Sequence, residues 1–183
     1  MAAEMFRRNV RTMTSTSGGR WFDAIAALCG VRETISYEAQ AAIELEAVAS
    51  TDEVESYSIA TRGTSIMELD LRPMVREIVR DLASRTPVSI ISARFHETIA
   101  ESIRIAAGHV RRQLGLGVVA LSGGCFQNKL LSERSRILLQ RDGLEVLQHR
   151  NVPANDGGIA LGQVYVAAHQ LSLHGELRGK LCV

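Results

Sequence analysis

The sequence predicts an α/β fold. Val118-Val119-Ala120-Leu121 is a short apolar run of buried-strand type that ends in glycines, and Leu144, Val146 and Leu147 form a second one. Helical periodicity fills the stretch between them and the stretch after them. Strand–helix–strand–helix order of this kind builds a parallel sheet with helices packed on it. The 183 residues suit one compact domain or a large piece of one, and 46% hydrophobic residues supply a core and exclude wholesale disorder.

The charges balance, 21 basic against 20 acidic for a net +1, so nothing here favours nucleic acid or a membrane surface. Arg7, Arg8 and Arg11 read as a solvated arm. Cys29, Cys125 and Cys182 are widely spaced with no CxxC pair, which argues against a disulfide framework or zinc knuckle. Reduced thiols and a cytoplasmic location are the expectation. No run approaches the roughly 20 apolar residues of a membrane helix, and no secretory signal is recognisable.

Residues 1–19 read as an irregular, flexible N-terminal segment, and residues 20–183 as the folded part. A helix is expected from about Arg20, with Trp21, Phe22, Ile25 and Leu28 on one face and Gly30 ending it. A second fits Tyr37–Ala49, with Ser36 as its cap. Alternation through Tyr57, Ile59 and Thr61, then Leu69 and Leu71, predicts a hairpin. Pro73 opens another helix, with Met74, Ile78 and Leu82 inward. The longest helix is expected from about Ser89 to Leu114, its stripe running from Ile91 and Phe95 to Val110, with Gly115 breaking it. After the Ser122-Gly123-Gly124 turn, a helix fits Gln127–Arg141. A last helix carries Ile159, Leu161, Val164 and Val166.

Two junctions carry chemistry. Glycines after a strand let a ligand approach the backbone, and free N–H groups at the next helix start suit a phosphate. Gly123 and Gly124, with Asn128 on that helix, fit such a site; a tight turn under a closely packed helix fits them equally well. No Gly-Lys-Ser/Thr follows, so this is not a P-loop. Asn155-Asp156-Gly157-Gly158 opens the last helix. Chemistry alone makes Asp156 a helix cap before a metal ligand, and the two roles can coexist. Glu44 and Glu46 do not share a helix face, so one is expected to face solvent. None of the five histidines has a partner at i+4; His96 reads as a structural residue at the edge of the long helix. Cys125 reads as a small buried residue, not a nucleophile.

Four segments in order carry a resemblance: residues 17–28 (SGGRWFDAIAAL), 36–46 (SYEAQAAIELE), 121–128 (LSGGCFQN) and 153–163 (PANDGGIALGQ). Together they resemble the C-terminal part of the hydrogenase maturation carbamoyltransferases, the HypF family, over about residues 14–171. The resemblance implies the second lobe of an actin-like, sugar-kinase-like (ribonuclease H-like) ATPase fold, with helical insertions on the N-terminal side. It implies a reaction using carbamoyl phosphate and ATP through carbamoyl adenylate. The carbamoyl group then goes to the C-terminal cysteine of a partner, HypE, on the route to the cyanide ligands of nickel–iron hydrogenases. By position, Ser122, Gly123 and Gly124 line the nucleotide phosphates, Asn128 contacts the nucleotide, Glu44 binds the ribose and Asp156 is the metal ligand, the metal being zinc or iron. The catalytic residues stay unknown.

The departures matter. Ala39 stands where the family has glycine, and the family's His-x-x-x-His metal pair has no counterpart here. The chain alone is therefore expected to bind metal weakly or not at all and to transfer no carbamoyl group. The alternative is a non-catalytic nucleotide-binding or protein-interaction module, associating with itself through an uncovered lobe surface.

Overall fold

A computed structural model describes residues 2–8, 10, 15–63 and 66–174. The elements in order are α1 (Ala2–Arg7), α2 (Gly18–Leu28), α3 (Gln40–Ala47), β1 (Ala60–Arg62), β2 (Glu68–Asp70), α4 (Arg72–Ala83), α5 (Val88–Leu114), β3 (Val118–Leu121), α6 (Lys129–Arg141), β4 (Glu145–Gln148) and α7 (Ile159–His174). Single 3-10 turns, Gly124–Gln127 and Asp156–Gly158, lead into α6 and α7.

The core is built around α5, whose 27 residues make a rod of roughly 40 Å. Its first half is apolar at helical spacing, and Ile91, Phe95 and Ala100 are wholly buried. Phe22 and Ile25 of α2, Leu45 of α3, Met74 and Ile78 of α4 and Leu131 of α6 close around it. Phe22 meets Phe95 edge to face, centroids 5.0 Å apart, an arrangement aromatic quadrupoles favour. Buried Tyr57 fastens the connecting segment. Its N–H donates to Thr98 Oγ1, its hydroxyl donates to Asp81 at 2.8 Å, and Arg94 lies over its ring. Pro73 sits at the start of α4, where the missing N–H costs nothing. Gly115 ends α5 in the left-handed conformation, as the sequence predicts.

The strands form two separate pairs. β1 and β2 are antiparallel, with Ala60 opposite Asp70. β3 and β4 are parallel, with Val118 opposite Glu145 and Leu121 opposite Gln148. A second, smaller core lies under this pair: Leu121, Leu139 and Leu144, backed by Ile103 and Ala107 of α5.

Several sequence expectations change. The segment read as irregular contains α1, where Glu4 pairs with Arg7 and Arg8 one turn on; residues 11–14 of it lie outside the described residues. The helix expected from Arg20 starts at Gly18. The β3 run, read as buried, is buried only in part: Val118 is 51% exposed, while Leu121 is 4% exposed. Among the described residues, helices cover only one face of the two-stranded sheet. The apolar residues of α7 are exposed as well, from Ile159 to Val166.

The helix expected from Tyr37 begins instead at Gln40, and Ser36 does not cap it. Ala39 occupies the left-handed region at φ 61°, which stops the helix from extending backwards. The Ser36 hydroxyl bonds the Gln40 side chain instead. A Cβ in this conformation is strained by roughly 1–2 kcal/mol, and glycine avoids the strain. Ala39→Gly is therefore expected to raise stability by about 1 kcal/mol despite the added freedom of the unfolded chain. Urea unfolding reads this directly, and a destabilised variant would contradict the strain.

Candidate functional site

The site lies where the parallel pair ends and α6 begins. Gly123 turns the chain at φ 102°, ψ 160°, a conformation essentially restricted to glycine. Its N–H donates to Ala154 O at 2.8 Å, which ties the turn to the loop after β4. A Cβ at Gly123 or Gly124 would meet open space within 4 Å, so the backbone is accessible there. The N–H groups of Gly124 and Cys125 open the 3-10 turn and have no acceptor within it.

Ser122 leaves β3 beside this turn, and its Oγ lies 2.9 Å from His149 Nε2. His149 belongs to the loop after β4. Parallel register brings Ser122 and His149 together, because Leu121 and Gln148 before them are partners. A cavity of about 330 Å³ adjoins the pair, lined by Phe126, Gln127, Gln148, His149, Arg150 and Pro153. The sequence singled out neither His149 nor Arg150; their place at the carboxyl end of a parallel strand was the available signal.

The first turn of α6 is not the open donor set the sequence suggests. Glu46 Oε1 accepts the N–H groups of Lys129 at 2.7 Å and Leu130 at 3.1 Å. Asn128 Oδ1 accepts that of Leu131 at 2.8 Å. A carboxylate and an amide from the chain itself thus fill the positions an anion would take. The accessible donors belong to the glycine turn.

Asn128 is 9% exposed, and its Nδ2 donates to Nε2 of fully buried His96 at 2.9 Å. His96 Nδ1 donates to Ser92 O at 2.8 Å. His96 therefore lies inside the core, not at the helix edge, packed against the rings of Phe22 and Phe95. Burial pushes its imidazole below the ordinary value of 6.5, the Ser92 hydrogen bond and the Glu46 charge opposing this. The folded state resists a proton that the unfolded state accepts. The stabilisation is thus complete above pH 6.5 and is lost as pH falls from there towards the folded value. We expect unfolding free energy to drop as pH falls below 6.5, with a slope of at most about 1.4 kcal/mol per unit from this one group, and His96→Leu to remove that contribution. A wild-type profile flat over this range contradicts the assignment.

Neither acidic residue of α3 simply faces solvent. Glu46 caps α6, and Glu44 accepts both Nε and Nη2 of Arg32 at 2.8 and 2.7 Å and Gln40 Nε2 at 2.9 Å. The Arg32 guanidinium, helped by Gln40, holds the Glu44 carboxyl below its usual range. Asp156 is not the cap either. Asn155, one residue earlier in extended backbone, accepts the Gly157 N–H at 3.1 Å. A Cβ at Gly158 would stand 2.9 Å from Pro153 O, so close packing accounts for that glycine. Asp156 is exposed, and among the described residues no cluster of three or more His, Cys, Asp and Glu is placed to hold a metal ion. One exposed carboxylate does not by itself fit a zinc or iron site, which takes several ligands. Cys125 is half-buried, and burial, then the charge of Asp23, raises its thiol pKa, the opposite of an activated nucleophile.

A glycine turn at the carboxyl end of parallel strands, flanked by a helical cover, defines an α/β lobe with its candidate site where such folds gather ligands. Residues 1–163 match the profile described as carbamoyltransferase, Kae1-like domain, second subdomain, and the chain belongs to that family. It is 38% identical over 175 residues to the carbamoyltransferase HypF homolog of Cupriavidus necator, covering 92% of this chain and 44% of that protein. It is 36% identical over 163 residues to the carbamoyltransferase HypF of Synechocystis sp., covering 88% of this chain and 20% of the relative. A crystal structure of full-length HypF in the phosphate- and nucleotide-bound form superposes with a TM-score of 0.84 at 38% identity, over 92% of this chain and 22% of that one. The HypF of T. kodakarensis superposes with a TM-score of 0.77 at 26% identity, again over 92% and 22%. The actin-like α/β lobe expected from the sequence is thus the fold, and the chain spans less than half the length of each of these relatives. No helix among the described residues is long and apolar enough to cross a membrane.

Proposed function

We propose that this chain supplies the nucleotide-facing second lobe of a carbamoyltransferase that works on ATP and carbamoyl phosphate through carbamoyl adenylate. The observation that carries the reading is the accessible backbone of the Ser122-Gly123-Gly124 turn, held open at the carboxyl end of β3 by the Gly123–Ala154 hydrogen bond. The N–H groups of Gly124 and Cys125 would face phosphate oxygens, and the Ser122 hydroxyl would add a donor beside them. Asn128 keeps one amide hydrogen for the nucleotide. Glu44, poised as a carboxylate, would accept from ribose hydroxyls once Arg32 yields one oxygen. Asp156 would be one ligand of a zinc or iron ion completed by histidines from the other lobe, where the metal would act as a Lewis acid.

The acceptor in this reading is the C-terminal cysteine of HypE, in the cytoplasm, during nickel–iron hydrogenase maturation. Transfer is not expected from this chain by itself. Calorimetric titration of ATP into the purified chain tests the nucleotide part. Binding that is lost in folded Asn128→Ala supports it, and heat-silent titration of the wild type at millimolar ATP would sink it.

One observation favours a second reading, a non-catalytic module that pairs with another copy of itself. Ile159, Leu161, Val164 and Tyr165 of α7 are each more than half exposed. An apolar groove of about 400 Å³ also runs between α5 and β3, past Ala106, Val110 and Val118. Sedimentation velocity across a hundredfold concentration range separates the readings. A monomer throughout rejects self-association.

A further inference from the structure

We propose that His96, a residue with no place in the nucleotide reading above, is a positioning residue that aims the free amide hydrogen of Asn128 at the ligand. The inference rests on that reading for what the ligand is, but its geometry is independent of it. Asn128 has an acceptor and two amide hydrogens to place. The acceptor takes the Leu131 N–H at 2.8 Å, which fixes which end of the amide points towards α5. One Nδ2 hydrogen goes to His96 Nε2 at 2.9 Å. Only the second Nδ2 hydrogen is then uncommitted, and its direction follows from the other two bonds because the amide is planar.

The histidine is itself fixed. For Nε2 to accept, the neutral ring must carry its proton on Nδ1, and the Nδ1 hydrogen donates to Ser92 O at 2.8 Å. Phe22 and Phe95 pack edge to face against the ring, with centroids 5.5 and 5.6 Å away. The Ser92 hydroxyl donates to Leu45 O, so the same network ties α5 to α3 beside Glu46. A cap for α6 needs only the Asn128 oxygen. The buried imidazole acts on the other end of the amide, which capping leaves free to rotate out of plane or exchange its partner for water. Both imidazole nitrogens are partnered, which offsets the cost of burying the ring and fixes the direction in which Nε2 accepts.

The test has a spectroscopic and a binding arm. A long-range proton–nitrogen spectrum of the 15N-labelled chain at pH 7 should show His96 protonated at Nδ1 and bare at Nε2. The Nε2–H tautomer, or a cation, overturns the proposal whatever the chain binds. ATP titration of folded His96→Leu should show affinity about tenfold weaker than wild type, the size of one lost hydrogen bond. His96→Gln, whose Oε1 can accept from Asn128, should recover most of it. Wild-type affinity in folded His96→Leu sinks the positioning role while leaving the nucleotide reading intact. If His96→Leu does not fold, His96→Gln and the spectrum decide. If the wild type itself binds no ATP, the nucleotide reading falls and the positioning role with it.

Discussion

Replacing Phe95 with alanine is expected to lower the unfolding free energy by about 3–5 kcal/mol, the largest effect of any single substitution we foresee. The ring is fully buried at the middle of the core and meets Phe22 at 5.0 Å and His96 at 5.6 Å. Truncation loses the transfer free energy of the ring and leaves a cavity. α5 is one continuous rod fixed by neighbours on several sides, so the surroundings cannot collapse fully into the gap. Phe95→Leu fills much of the space and should cost less than half as much. Urea unfolding followed by circular dichroism measures both. A loss under about 1 kcal/mol in Phe95→Ala would mean that α5 is not the centre of the core.

Asn128→Ala is expected to cost about 2–4 kcal/mol, from two separable sources. Removing the α6 cap costs roughly 1 kcal/mol. The buried His96 Nε2 then lacks a donor, which adds about 1–3 kcal/mol. Asn128→Ser separates the two: its hydroxyl can cap α6 but is too short to reach His96, so it should recover only the first part. Equal stability of Asn128→Ser and wild type would mean the bond to His96 contributes nothing to the fold. Ligand experiments on Asn128 variants therefore belong well below their unfolding transitions.

Much of this was readable along the chain. α4, α5 and α6 announce themselves by apolar residues every three or four positions, and Pro73 and Gly115 mark their ends. β3, its glycine turn and β4 follow from two short apolar runs with a helix between them. The turn was found because a sharp reversal after a strand needs glycine at a defined point, and Gly123 has the positive φ of such a turn. The roles of Glu44, Glu46, Asn128 and His96 within the fold were not readable. Glu46 lies 83 residues from the Lys129 amide it accepts, and His96 lies 32 from Asn128. No local pattern encodes such pairs.

The sequence by itself determined the order of helices and strands from α2 onward, the glycine turn and the stripes that α4 and the first half of α5 bury, because these depend on side-chain period and backbone freedom within a few residues. Only the tertiary structure decided that the α6 amides are taken by Glu46 and Asn128, that Ser122 meets His149 at the strand ends, and that β3 and α7 leave their apolar faces exposed. Those outcomes depend on which distant segments arrive at a given surface, and hydrogen-bond partners and burial are properties of that meeting, not of either segment.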